Sequence, residues 1–418
     1  MNKNPHDLKR LFSKGKFIFF ISLTEKLTFF IVYLIIARYY SKFEFGLITT
    51  VFAFANIASS LLDFGFTIYF QRESATDGIE LSKKFLSALN LRLLAVVVFV
   101  VLCIGYFYEE MHAEPLSIIL LSLSIYIVSF GYFLNSMLYG KSLYKKSFLE
   151  IFLSRSILIL LSLSIFIFKF DLSVLSSFFV LAFSVHLVFL NSNLDEIKIP
   201  IKIDFNFIKP SYSLVKSALP FGLGILSVWV YDRSAFLLLH KMISVESVAV
   251  FGVAYSLYKI PQPFLGIILT PLFTELSTFY NTNHFIEKKI ILSSVKWIII
   301  ISIGLIAFYL LTNQLLIKLT FGDKYIEASS MLALISIALP GLFLNNLTGV
   351  VLNSAYKEKL AMRSTMIGAF VNVVLNIILI SLCGIIGVVV TSILTEYIIL
   401  FIQLYFIGKT KIIKSVPT

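Results

Sequence analysis

Nine ionisable side chains sit where the sequence is otherwise apolar. Five are bases: Lys26, Arg92, Arg155, Arg233 and Lys259. Four are acids: Glu25, Asp63, Asp232 and Glu396. Glu150 and Glu275 stand near the ends of similar runs. A single charge at the centre of a bilayer costs at least ~2.5–3.5 kcal/mol on insertion scales. A set of this size facing lipid would be prohibitive, so most of it must face protein or water. Facing protein, such groups pair across helices; facing water, they line a polar path of the kind a secondary transporter needs.

Depth separates these residues. A helix rises ~1.5 Å per residue, so Lys26, ten residues past Lys16, lies about 15 Å in. Lys259 and Glu396 fall at comparable mid-depth. Arg92 and Arg155 sit nearer the cytoplasmic face, Asp63 towards the same side and Arg233 towards the outer one. Each also has a purely structural reading. Arg92 and Arg155 can snorkel to headgroups. Asp63 can cap a kink or pair with Arg72 or Lys84. Asp232 and Arg233 are adjacent, so they point ~100° apart and each needs a partner on another helix. Glu396 can simply neutralise a lysine. Pro220, Gly222 and Gly224 open one apolar run, and Pro261 and Pro263 interrupt the next. Broken helices at membrane depth are tolerated where they line a cavity or where neighbours satisfy the freed groups. An ordinary packing kink is the alternative.

The elements that position these groups follow from composition. Hydrophobic residues make up 58% of the 418 and charged residues 14%, whereas a soluble surface needs roughly 25–35% charge. The expected class is an all-α integral membrane protein. Runs of about 20 apolar residues mark spans, and twelve fit: 16–38, 46–70, 84–108, 115–140, 148–169, 172–192, 213–239, 246–273, 290–313, 325–353, 361–382 and 385–407. The longest polar gap, 193–212, divides them into two sets of six. The expected organisation is therefore an N-terminal lobe over 1–195, a cytoplasmic linker over 196–212 and a C-terminal lobe over 213–418. With a cytoplasmic N-terminus, 24 Lys and Arg fall on the inner side and 6 on the outer. The positive-inside rule then places both termini in the cytoplasm. Six spans return the chain to its starting side, so the lobes read as parallel repeats. An ungapped offset of 203 lays Tyr40–Ile48 on Ile243–Phe251 and pairs Ser41 with Ser244, Phe70 with Phe273 and Ser74 with Ser277.

Other classes are disfavoured. The net charge of +12 is accounted for by cytoplasmic loops, so no nucleic-acid partner is invoked. Cys103 and Cys383 lie in apolar runs and the five His are scattered, so neither a disulfide framework nor a metal centre is expected. The first apolar run continues without a cleavage site into Arg38-Tyr39-Tyr40 and reads as a retained span. There is no P-loop, zinc helix or nucleophile elbow, and neither enzymatic chemistry nor a cofactor is expected.

The stretch from Ile36 to Ala75 carries more specific information. It fills the pattern aR-x-L-s-x-x-E-[FY]-G-L, then a helix, then [DG]-[FL]-G, then R and a small residue. Ala37, Arg38, Ser41, Glu44, Phe45, Gly46, Leu47, Asp63, Gly65, Arg72 and Ala75 supply it, with Tyr40 in place of leucine. Tyr231–Pro261 carries a D-R, S-x-E, A-Y run, with Ala249 in place of glycine. Phe321–Pro340 carries fG-x-x-Y-x-x-a-x-x-L. Asn372, Asn376, Gly384, Gly387 and Glu396 follow N-x-x-x-N, G-x-x-G and E. Together these resemble the polysaccharide-export flippases of the Wzx type, in the multidrug/oligosaccharidyl-lipid/polysaccharide exporter superfamily. The resemblance implies translocation of an undecaprenyl-pyrophosphate-linked oligosaccharide, an O-antigen or capsule repeat unit, across the bacterial inner membrane by alternating access. It implies membrane lipids and the polymerase and chain-length components of the pathway as partners. It casts Lys26, Arg92, Arg155, Arg233 and Lys259 as the substrate path, and Glu25, Asp63, Asp232 and Glu396 as ion-coupling groups or charge partners. An ion-coupled multidrug or metabolite antiporter, a glycan polymerase or glycosyltransferase, and a non-transporting scaffold remain as alternatives.

Overall fold

The computed structural model describes residues 5–74, 79–196 and 212–414, with side chains described outside 5–15, 79–80 and 191–196. The expected linker at 196–212 lies almost wholly outside the described residues. The chain forms two compact units, 1–229 and 230–418. The first holds α1 (Pro5–Tyr39), α2 (Lys42–Leu61), α3 (Phe66–Glu73), α4 (Ile79–Tyr106), α5 (Pro115–Gly140), α6 (Tyr144–Leu163), α7 (Ile165–Phe168), α8 (Leu172–Glu196) and the first half of α9 (Tyr212–Met242). The second holds the rest of α9, then α10 (Val245–Lys259), α11 (Gln262–Asn283), α12 (Lys288–Thr320), α13 (Ala328–Ile335), α14 (Leu339–Ser354), α15 (Glu358–Cys383) and α16 (Ile385–Thr410). A two-residue parallel pairing of β1 (Ile286–Glu287) with β2 (Ile413–Lys414) ties the end of α16 to the α11–α12 turn.

Eleven helical stretches among the described residues are long and apolar enough to cross a membrane. The chain is thus an all-α multi-pass membrane protein. The eighth expected span, 246–273, is not continuous: it is divided into α10 and α11. The cause is local. Pro261 and Pro263 have no N–H, so the carbonyls of Leu257 and Lys259 lose their ordinary helical donors. The Leu257 carbonyl is served instead by the Ile260 N–H at 3.3 Å and by the Tyr309 hydroxyl from α12 at 2.7 Å.

The second expected span, 46–70, is also divided. α2 begins earlier, behind a reciprocal cap: the Ser41 hydroxyl accepts from the Glu44 N–H at 3.1 Å, and the Ser41 N–H donates to the Glu44 carboxylate at 2.8 Å. It ends at Leu61. A turn follows in which Gly65 takes a φ of 84°, open to glycine at little cost. Asp63 then caps α3, accepting from the Thr67 N–H at 3.2 Å and its hydroxyl at 2.7 Å. The offset of 203 carries the start of α2 onto the start of α10, and Ser244 caps α10 through the Ser247 N–H at 3.2 Å. Both units therefore begin their second crossing in register and break it partway.

The first unit's core is aromatic. Phe66, Phe70, Phe85 and Phe133 interlock, with Phe85 and Phe133 stacked at 4.8 Å, and Leu214 and Ala218 of α9 complete the cluster. Gly65 and Gly222 let the backbones approach: a Cβ at either would run into the other's main chain. α9 itself continues as helix through Pro220. Gly222 thus serves close packing against Gly65, and the helix break expected near Pro220 is not formed.

Candidate functional site

Within the second unit, α9 and α10 bring a group of charges together. Asp232 on α9 receives the Lys259 ammonium at 3.1 Å and the Tyr255 hydroxyl at 2.5 Å, both from α10. Arg233 Nε lies 3.3 Å from the same carboxylate. Adjacent helical residues diverge at Cβ, yet the arginine side chain is long enough to return to its neighbour. The expectation that each needs a partner on another helix therefore holds for Asp232 and is incomplete for Arg233. Lys259 ends α10 just ahead of the proline break, and a helix C-terminus favours a cation. Its ammonium also lies over the rings of Tyr255, Tyr258 and Tyr231, at 5.2, 5.6 and 5.9 Å. Such contacts recover part of the solvation a buried cation loses.

Glu396 on α16 joins the group through the same tyrosines. Its carboxylate accepts from the Tyr231 hydroxyl, from Tyr258 at 3.4 Å and from Asn345 Nδ2 of α14 at 2.7 Å. Asn345 Nδ2 also reaches the Glu396 carbonyl at 2.8 Å. Gly341 keeps α14 close enough for this, since a Cβ there would sit 3.0 Å from the Glu396 Cβ. Glu396 is 3% exposed. Lys259 and Arg233 keep 16% and 25% of their side chains exposed, so this pair of bases is enclosed without being sealed. Beside the cluster, Ser234 donates to Asn372 at 3.0 Å, and Asn372 ties to Thr395 and Asn376. The N-x-x-x-N pattern is thus a polar seam between α15, α9 and α16.

In the first unit, two of the arginines singled out from sequence pair with acids. Arg155 lies 3.5 Å from Glu25, which also accepts from the Tyr132 hydroxyl. The Arg155 guanidinium rests 4.4 Å from the Phe183 ring centroid. Around it run Glu150, 3.8 Å from His186, then Asn135, 3.1 Å from the same ring and accepting from Ser147 at 2.7 Å. The second pair joins Arg92 to Asp63 at 2.6 Å. Arg92 also donates to the Ser129 hydroxyl at 2.8 Å and lies against Tyr126, Phe130 and Phe133. Asp63 therefore pairs with Arg92, in place of the expected Arg72 or Lys84, while its capping role is realised. Both arginines have zero exposure, which excludes snorkelling for either. Lys26, by contrast, is exposed on α1.

Tyr132, Tyr231, Tyr255, Tyr258 and Asn345 belong to these clusters and escape a search for charged residues. The available signal was the i, i+3 spacing of Tyr255 and Tyr258 next to Lys259, and Tyr231 beside Asp232.

A model of the family described as polysaccharide biosynthesis protein matches residues 13–277. Uncharacterized membrane protein MJ1068 of Methanocaldococcus jannaschii is 26% identical over 147 residues, which span 35% of this chain and only 28% of that protein. A multidrug resistance MATE family transporter of the MOP superfamily, in an inward-facing conformation, superposes with a TM-score of 0.74 at 18% identity, over 94% of this chain and 99% of that one. Lipid II flippase MurJ, in an inward closed conformation, gives a TM-score of 0.74 at 16% identity, over 97% and 88%. At these identities the two likenesses establish a shared fold and no more.

Proposed function

Because the chain belongs to the polysaccharide biosynthesis protein family, we propose that it is a flippase. Its cargo is an undecaprenyl-pyrophosphate-linked oligosaccharide, moved from the cytoplasmic to the periplasmic leaflet of the bacterial inner membrane by alternating access. The observation that carries this reading is the setting of Lys259. It is a base held in a low-dielectric interior by one carboxylate at 3.1 Å and three tyrosine rings, with a sixth of its side chain still exposed. The pyrophosphate offers non-bridging oxygens on both of its phosphates, twice as many as the Asp232 carboxylate, so it can compete for the ammonium as it dehydrates. Arg233 takes a second oxygen. Lys26, exposed on α1, is the first unit's own candidate base. Arg92 and Arg155, sealed against Asp63 and Glu25, act by holding the first unit's helices in place. Asp232 and Glu396 are the groups left to take up a coupling ion while the bases are engaged. The pathway's polymerase and chain-length components receive the product.

Complementation of a flippase-null strain with labelled lipid-linked oligosaccharide tests this. The Lys259→Ala, Arg233→Ala and Lys26→Ala variants are expected to lower surface glycan at unchanged protein level. Normal display by all three refutes the assignment. The half-buried carboxylate Asp232 and the buried Glu396 also suit an ion-coupled multidrug or metabolite antiporter. That reading predicts altered drug tolerance in cells whose glycan display is untouched.

A further inference from the structure

Tyr309 has no place in the charge clusters, yet its position is specific. It lies on α12, a helix most of whose side chains are exposed, and is itself only 4% exposed. Its hydroxyl donates to the Leu257 carbonyl at 2.7 Å, across 52 residues of chain. In an unbroken helix that carbonyl would accept from the N–H of residue 261. Residue 261 is proline and has none. The tyrosine therefore replaces the donor that the proline removes, one turn before the break and two residues before Lys259. Among the described residues only the Ile260 N–H, at a longer 3.3 Å, shares the task. A buried carbonyl left without a strong donor is costly in a membrane, where water cannot substitute.

We propose that Tyr309 is a positioning residue that pins the α10–α11 break and so fixes where the Lys259 ammonium stands relative to Asp232 and the tyrosine rings. The inference rests on the flippase reading for its consequence in transport, while the pin itself stands on the hydrogen bond. The logic is reciprocal. Pro261 creates the need that Tyr309 meets. Losing the hydroxyl frees the junction to open, and restoring an N–H at position 261 makes the hydroxyl dispensable.

The experiment compares the full chain, Tyr309→Phe, Pro261→Ala and the double variant, each purified into lipid nanodiscs. The readout is amide hydrogen exchange across residues 255–268, with glycan display in the flippase-null strain measured in parallel. Tyr309→Phe keeps the ring and removes one hydroxyl. It is expected to speed exchange at the junction about tenfold, the effect of one buried hydrogen bond, and to lower glycan display. In the double variant exchange is expected to return to within about twofold of Pro261→Ala alone, since an intrahelical donor then serves Leu257. Unchanged exchange in Tyr309→Phe overturns the proposal, as does faster exchange that Pro261→Ala fails to correct. If the unmodified chain does not restore glycan, the flippase reading falls, and the exchange data still judge the pin.

Discussion

Replacing Lys259 with methionine separates a structural charge from a functional one. The substitution removes the ammonium and keeps an unbranched stem of similar reach. A buried charge stripped of its partner costs about 3–5 kcal/mol. Asp232 is not stripped here: it keeps Tyr255 at 2.5 Å and Arg233 at 3.3 Å, and about a fifth of it is exposed. The expected loss for Lys259→Met is therefore about 2 kcal/mol, close to one charged hydrogen bond. Asp232→Asn leaves Lys259 its three rings, which together recover about 1–2 kcal/mol, so its expected loss is also about 2 kcal/mol. The double variant Asp232→Asn/Lys259→Met removes both charges at once. Contacting residues of this kind couple by about 1–3 kcal/mol, so the double variant should be more stable than the sum of the singles. Unfolding in mixed micelles reads the stability, and glycan display in the flippase-null strain reads transport. The expected pattern is a double-variant loss of about 1–3 kcal/mol, below the ~4 kcal/mol of the singles added together, with transport lost. Two results refute the reasoning. Additive losses within about 0.5 kcal/mol would mean the pair is not coupled. Full glycan display by the double variant would mean that the ammonium has no part in carrying substrate.

The first unit makes two further predictions. Asp63→Ala leaves a fully buried guanidinium with Ser129 and aromatic rings, and removes the cap from Thr67. A loss of about 3–5 kcal/mol is expected, visible as poor yield and early melting, with Asp63→Ala/Arg92→Met recovering most of it. Gly222→Ala drives a methyl into the Phe64–Gly65 backbone, at an expected cost of about 1–3 kcal/mol. Melting of the purified variant checks this, and an unchanged midpoint refutes the close approach.

The spans were legible because length and hydropathy are properties of the line of residues, and a bilayer selects on just these. Pro261 and Pro263 gave away the broken crossing, since a missing N–H acts within one turn. The break at 62–65 was hidden. The run Leu61–Phe70 stays mostly apolar, and nothing in it reveals that Gly65 must adopt a positive φ to bring its backbone onto Gly222, 157 residues away. The charged residues were equally plain in the sequence, while their partners were not. Counting residues gave Arg92 and Arg155 a depth near the headgroups, but depth says nothing of which way a side chain faces. Both face inward, to Asp63 and Glu25, over separations of 29 and 130 residues. The tyrosines escaped notice because an aromatic in an apolar span ordinarily reads as packing.

Those tyrosines resolve a difficulty that the charge count raises. Acids within the apolar runs nearly equal the bases there in number, which at first leaves little positive charge for an anionic guest. The hydrogen bonds show why the balance is less restrictive. Glu25 accepts from Tyr132, Asp232 from Tyr255, and Glu396 from Tyr231, Tyr258 and Asn345. Neutral hydroxyl and amide donors thus do for these carboxylates part of what cations otherwise must. Glu396 takes three such donors, leaving Lys259 directly paired with Asp232 alone among the acids of its cluster in the described contacts. The same rings face the ammonium with their π-surfaces, so a single set of tyrosines solvates acid and base together. On the proposed function this matters most when a phosphate arrives. Asp232 then keeps Tyr255 as Lys259 turns to the guest, and neither charge is left bare. Arg92 has no such freedom: a 2.6 Å bond to Asp63, a serine and three rings enclose it. The two units therefore use one chemical vocabulary in different settings, a sealed pair in the first and, on the proposed function, an exchangeable pair at a broken helix in the second.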